Sequence, residues 1–76
     1  MKLLTLDLHN TKHENVTSKV IYFIEKVLTN PEDFIIITGH SQIMRKLVID
    51  VLDEYDLEYN IGGILEVSKA FIKVYL

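Results

Sequence analysis

Apolar and polar residues alternate over residues 3–8. Leu4, Leu6 and Leu8 fall on one face, and Leu3, Thr5, Asp7 and His9 fall on the other. A period of two predicts a strand with one face against a core. Thr11-Lys12-His13-Glu14 follows, with Thr and Glu spaced as in a capping box. Val16, Val20, Phe23, Ile24, Val27 and Leu28 then recur at helical spacing, and Thr29-Asn30-Pro31 stops that helix. Residues 34–38 (FIIIT) are short, continuous and β-branched, which reads as a central strand, apolar on both sides. Gly39 breaks it. Ser41 is a good N-cap for a second amphipathic helix, carried by Ile43, Met44, Leu47, Val48, Val51, Leu52 and Tyr55. Asp56 ends this helix without a glycine. Leu57, Tyr59 and Ile61 alternate with Glu58 and Asn60 as a short third strand, and Gly62-Gly63 reads as a turn. Residues 64–69 fit either a strand extension or an ordered loop. Residues 70–76 alternate again, with Ile72, Val74 and Leu76 facing one way and Phe71, Lys73 and Tyr75 the other.

The order is therefore β-α-β-α-β-β, an α/β chain of the α+β two-layer sandwich type. A right-handed first crossover puts its helix over one face of a four-stranded, mostly parallel mixed sheet. Both helices lie on one face, because two helices cover only one face of four strands. The other face is partly open and carries Thr5, Asp7, Phe71, Lys73 and Tyr75.

Composition narrows the setting. With 76 residues, the chain is a single domain spanning 1–76. A domain this small buries only about 60% of its unfolded surface, so its core must be used well. It is 49% hydrophobic and 25% charged, which fits a globular protein. Without cysteine, neither a disulfide framework nor a thiolate zinc site can form, as in a reducing cytoplasm. The opening MKLL begins like a signal peptide, but Asp7 and His9 end the apolar run early. No run approaches the ~18 apolar residues of a membrane span, so no membrane partner is expected. A net charge of -3 argues against nucleic-acid binding by bulk charge and leaves room for a local basic patch.

Chemistry concentrates at strand ends. Asp7 and His9 share a strand face with Cα atoms ~7 Å apart. A carboxylate beside an imidazole fixes the tautomer and suits general acid–base work. The plainer reading of such a pair is two solvated polar residues. Thr38-Gly39-His40-Ser41 joins a buried strand to a helix, where free N–H groups can hold an anion such as phosphate. In parallel α/β units, ligands sit at carboxyl ends of strands. His9, Asn10, Gly39, His40 and Ser41 should converge there. Ser41 fits an N-cap better than a nucleophile, and His13 fits an exposed helix start. Arg45 and Lys46 place positive charge against the dipole of the second helix, which a phosphate partner would relieve. Asp7, His9 and His40 lack the spacing of a metal site, so none is assigned. Phe71 and Tyr75, with Lys73 between them, offer base stacking on the open face, or an apolar patch covered by a protein partner or a second copy.

Leu6-Asp7-Leu8-His9, followed by a helix with an early Glu, and then Ile36-Ile37-Thr38-Gly39 before a second helix, resembles the small MutS-related (Smr) domain. The resemblance spans nearly the whole chain. Thr38-Gly39-His40-Ser41-Gln42-Ile43-Met44 is similar to the short stand-alone versions often found in phages. The resemblance implies a two-layer sandwich similar to the C-terminal domain of translation initiation factor 3. It also implies nucleic-acid nicking or RNA cleavage, or in some members binding alone, in the cytoplasm (a bacterial host's, for a phage protein). Asp7 and His9 take the places of the implicated catalytic pair. Thr38 and Gly39 take those of a structural, nucleic-acid-contacting turn. The chain departs from the family pattern in three places: Asn10 replaces the motif glycine, His40-Ser41 replaces the second turn glycine, and the glycine-rich stretch shrinks to Gly62-Gly63.

The expected protein is thus an Smr-type endonuclease or nickase acting on RNA or DNA, with a non-catalytic binding module of the same fold as the alternative. His9 acts as acid or base, and His40 is a candidate second group. Asp7 orients His9 or a water, or holds a divalent ion such as Mg2+ or Mn2+. Asn10, Thr38, Gly39, Ser41, Arg45, Lys46 and Lys73 make up the candidate phosphate-binding set.

Overall fold

The computed structural model describes residues 4–62 and 70–76. The elements run β1 (Leu4–Asp7), α1 (His13–Leu28), β2 (Phe34–Ile37), α2 (Gln42–Glu54), β3 (Glu58–Gly62) and β4 (Phe71–Tyr75). Their order matches the expected β-α-β-α-β-β. The reading of residues 64–69 as strand or loop lies outside the described residues.

The sheet order is β1-β2-β4-β3. β1 pairs parallel with β2, whereas β4 pairs antiparallel with both β2 and β3. The expectation of a mostly parallel sheet therefore holds for strand direction but not for pairing. Three strands run one way, and β4 returns between β2 and β3, so only one of the three ladders is parallel. The carboxyl ends of β1, β2 and β3 consequently lie at one edge of the sheet, together with the start of β4.

One face of the sheet meets both helices. Phe34, Ile36, Ile72 and Val74 are buried there with Leu8, against Val16, Val20 and Ile24 of α1 and Met44, Val48 and Leu52 of α2. Phe23 of α1 meets the Phe34 ring edge-on at 5.1 Å. Register places Thr5, Ile35, Lys73 and Asn60 in one row on the opposite face, and Asp7, Ile37, Phe71 and Gly62 in the next. This is the open face, and the sequence phases assign it correctly. Among the described residues, no helix is long and apolar enough to cross a membrane.

The helix ends show where local signals held. Ser41 caps α2 by accepting the Met44 N–H at 3.1 Å. The capping box predicted for α1 does not form. The N-cap falls at Lys12, with no side-chain hydrogen bond, because the Thr11 N–H is spent on the Leu8 carbonyl at 2.9 Å. The Thr11 hydroxyl instead accepts from Lys19 Nζ at 3.4 Å. Gly62 is also not in a turn. It ends β3 opposite Phe71, whose ring lies so close that a Cβ on Gly62 would come within 2.6 Å of it.

α2 closes on Asp56, whose φ of +57° is a left-handed conformation that side chains resist. The Leu57 N–H reaches the Leu52 carbonyl at 3.0 Å and the Asp56 N–H the Asp53 carbonyl at 3.1 Å, the paired bonds of a Schellman motif. Asp56→Gly should therefore stabilise the fold. Relief of roughly 1–2 kcal/mol of strain exceeds the ~0.5–1 kcal/mol of added chain entropy, for a net gain of about 0.5–1 kcal/mol. A thermal melt should show a rise of roughly 2–8 °C. An unchanged midpoint would mean that the Asp56 side chain supplies an offsetting contact.

Candidate functional site

Asp7 ends β1 on the open face, and the chain then turns. The Thr11 N–H to Leu8 carbonyl bond makes His9 and Asn10 the central pair of a tight turn. Asp56 is the only non-glycine residue with positive φ among the described residues. Asn10 therefore needs no left-handed backbone.

Within this turn the side chains form a chain of hydrogen bonds. Asp7 Oδ1 accepts the His9 backbone N–H at 3.0 Å and His9 Nδ1–H at 2.8 Å. Asn10 Nδ2–H donates to His9 Nε2 at 3.0 Å. Taken together, these bonds assign the neutral tautomer with its proton on Nδ1, leaving the Nε2 lone pair as acceptor. Two donors from His9, backbone first and then ring, hold the Asp7 carboxyl below its ordinary range. Asp7 therefore remains an anion throughout the range in which an imidazole titrates. The pair is accessible: the His9 side chain is 60% exposed and that of Asp7 49%.

The second loop lies beside the first because β1 and β2 are paired neighbours, with the Leu8 N–H donating to the Ile37 carbonyl at 2.9 Å. Gly39 has φ of +65°, the conformation the strand-to-helix turn requires. The Thr38 and Gly39 N–H groups both donate to the Ala70 carbonyl at 3.1 Å, which anchors the loop to the start of β4. His40 is exposed and Ser41 is half-buried.

Not every expected phosphate-binding side chain is presented at this edge. Thr38 follows β2 there, but its side chain is turned to the helix-covered face, 2% exposed, with its hydroxyl donating to the Gly39 carbonyl. Lys46 extends from the outer side of α2 and pairs with Asp50 at 3.3 Å. Arg45 sits half-buried one helical turn after Ser41, with its Nε buried and without a hydrogen-bond partner. Lys73 lies in the middle row of the open face, over the Tyr75 ring at 5.4 Å, rather than at the edge. Phe71 does share the row of Asp7, two strands away, at about 10 Å by strand spacing.

His13 is an exposed helix-start residue, as the sequence predicts. His13, the first residue of α1, brings Nε2 to 3.4 Å from Ser41 Oγ. No local pattern signals a contact across 28 residues. Among the described residues, no three His, Cys, Asp or Glu side chains converge as a metal-ligand group. A separate groove of about 640 Å3 runs between α1 and the β1 edge, lined by Leu4, Leu6, Tyr22, Phe23 and Val27, with Lys19, Lys26 and Glu32 around them. It holds no imidazole. In comparisons with known proteins, no family model, curated protein or solved structure matches the chain.

Proposed function

We propose that this protein is a small Smr-like nucleic-acid-processing enzyme that cleaves phosphodiester bonds at the rim formed by the β1 and β2 loops. The observation that carries this reading is the Asp7–His9–Asn10 chain: an anion, an imidazole held in one tautomer and an Nε2 covered by the Asn10 amide, all on exposed side chains. Once the attacking hydroxyl or water displaces the Asn10 N–H from Nε2, such an imidazole accepts its proton, and Asp7 stabilises the imidazolium that results. The phosphate would sit against N–H groups at the start of α2, with Arg45 as a candidate cation. Asp7 is the group that would hold a divalent ion where one is used, so the assay includes Mg2+ and Mn2+.

The test is a cleavage assay on end-labelled single-stranded RNA, structured RNA and supercoiled DNA, with and without each metal ion. Wild-type protein should cut at least one substrate, and Asp7→Asn should cut it at least about 10-fold more slowly, because the imidazolium loses its counter-charge. Activity equal in both proteins would assign the cleavage to a contaminant. No cleavage of any substrate would favour the second reading, a non-catalytic binding module. That reading is supported by the half-buried Ile35, Ile37 and Phe71 on the face opposite the helices. A protein partner or second copy on that face would lose binding with Phe71→Ala, whereas cleavage would be lost with Asp7→Asn.

A further inference from the structure

The cleavage reading needs a group that protonates the leaving oxygen, and beside His40, exposed in the β2 loop, the rim holds an imidazole whose contact is defined. Ser41 Oγ accepts the Met44 N–H at 3.1 Å and has a second lone pair. His13 Nε2 lies 3.4 Å from the same oxygen, so a protonated ring donates Nε2–H to it and keeps Nδ1–H to give. This contact ties the start of α1 to the start of α2 at the sheet edge where Asp7, His9 and Asn10 lie. His13 follows His9 by four residues, so their Cα atoms are at most ~14 Å apart, and the intervening turn shortens that span.

The two imidazoles differ in the way an acid–base pair requires. His9 is backed by a carboxylate that stabilises its protonated form as it accepts a proton. Among the described residues no carboxylate contacts His13. Its ring is held by the Ser41 hydroxyl, where α1 and α2 both begin.

We propose that His13 is the second acid–base group of this site, positioned by Ser41, and that it protonates the leaving oxygen. The proposal rests on the phosphodiester-cleavage reading and narrows its substrate to RNA, whose 2′-hydroxyl supplies the nucleophile. The 2′-oxygen forms its bond to phosphorus as the bond from phosphorus to the 5′-oxygen breaks. The 2′-hydroxyl proton passes to His9 Nε2, and the His13 imidazolium proton passes to the 5′-oxygen. The products are a 2′,3′-cyclic phosphate and a 5′-hydroxyl, with nothing oxidised or reduced.

The test uses two oligoribonucleotides, one with the natural 5′-oxygen at the scissile bond and one with sulfur in that place. A thiolate leaves without a proton, so the sulfur substrate bypasses the acid. His13→Ala and His13→Gln should lose about 10²–10⁴-fold on the oxygen substrate and recover to within about tenfold of wild type on the sulfur one. His9→Ala should remain slow on both. The ratio of the two rates is internal to each variant, so incomplete folding does not disturb it. Ser41→Asp keeps the helix cap and places an anion beside His13, which should move the basic limb of the pH–rate profile to higher pH. Equal losses on both substrates, or wild-type rates in both His13 variants, would overturn the role of His13 and leave the cleavage reading standing. A wild-type protein that cuts neither substrate would overturn this proposal, and no cleavage of the DNA substrate either would overturn the function with it.

Discussion

Phe34→Ala is expected to cost about 3–5 kcal/mol, enough to leave a domain of this size largely unfolded at 37 °C. Phe34 is fully buried at the start of β2, an inner strand of the sheet, with Phe23 edge-on against its ring. Truncation removes the ring's transfer free energy and leaves a cavity that three surrounding elements cannot all close. The loss of the aromatic pair adds about 0.5–1.5 kcal/mol. A small core has no reserve to absorb this, since typical domains hold only about 5–15 kcal/mol in total. Urea unfolding followed by circular dichroism measures the cost. Ile43→Ala, on the exposed side of α2, is the control and should stay within about 0.5 kcal/mol of wild type. A cost below about 1.5 kcal/mol for Phe34→Ala would contradict a fully buried ring, because the expected range for such a site begins near 3 kcal/mol.

The second large effect separates activity from stability. His9→Ala should slow cleavage by about 10²–10⁴-fold, the usual contribution of a positioned acid or base. The same change should move stability by at most about 1 kcal/mol, because the side chain and its Asp7 partner are both largely exposed. Rate and melting midpoint measured on one preparation decide the matter. Retained cleavage in His9→Ala would remove the imidazole from the chemistry. A large loss of stability would make the Asp7–His9–Asn10 chain a structural clasp.

The local part of this site was legible in the sequence because its bonds are local. Asp7 and His9 share a face through the two-residue period of a strand, and the turn after β1 closes the remaining distance to a 2.8 Å hydrogen bond. Ser41 was identifiable as an N-cap because its bond reaches only three residues along the chain. The capping box misled for an equally physical reason. The hydrogen-bonded turn at Thr11 shifts the helix start by one residue and takes the cap position away from the threonine. Thr38 shows the limit of carrying a motif over by type. In an alternating strand its phase matches Phe34 and Ile36, so the side chain enters the core whatever the motif implies.

The sequence by itself determined the order of the elements, most of the core face of each, with Leu28, Ile43, Ile61 and Leu76 exposed against its pattern, and the Asp7–His9 pair. All of these follow from hydrophobic period and short-range hydrogen bonds. The tertiary structure decided the rest: β4 between β2 and β3, the Phe71 ring over Gly62, and His13 against Ser41. Strand pairing is made by backbone N–H and C=O groups that every residue but proline carries, so the residues themselves state their neighbours only weakly. Contacts across 28 residues exist only after the sheet has chosen its order and the helices have packed on one face of it.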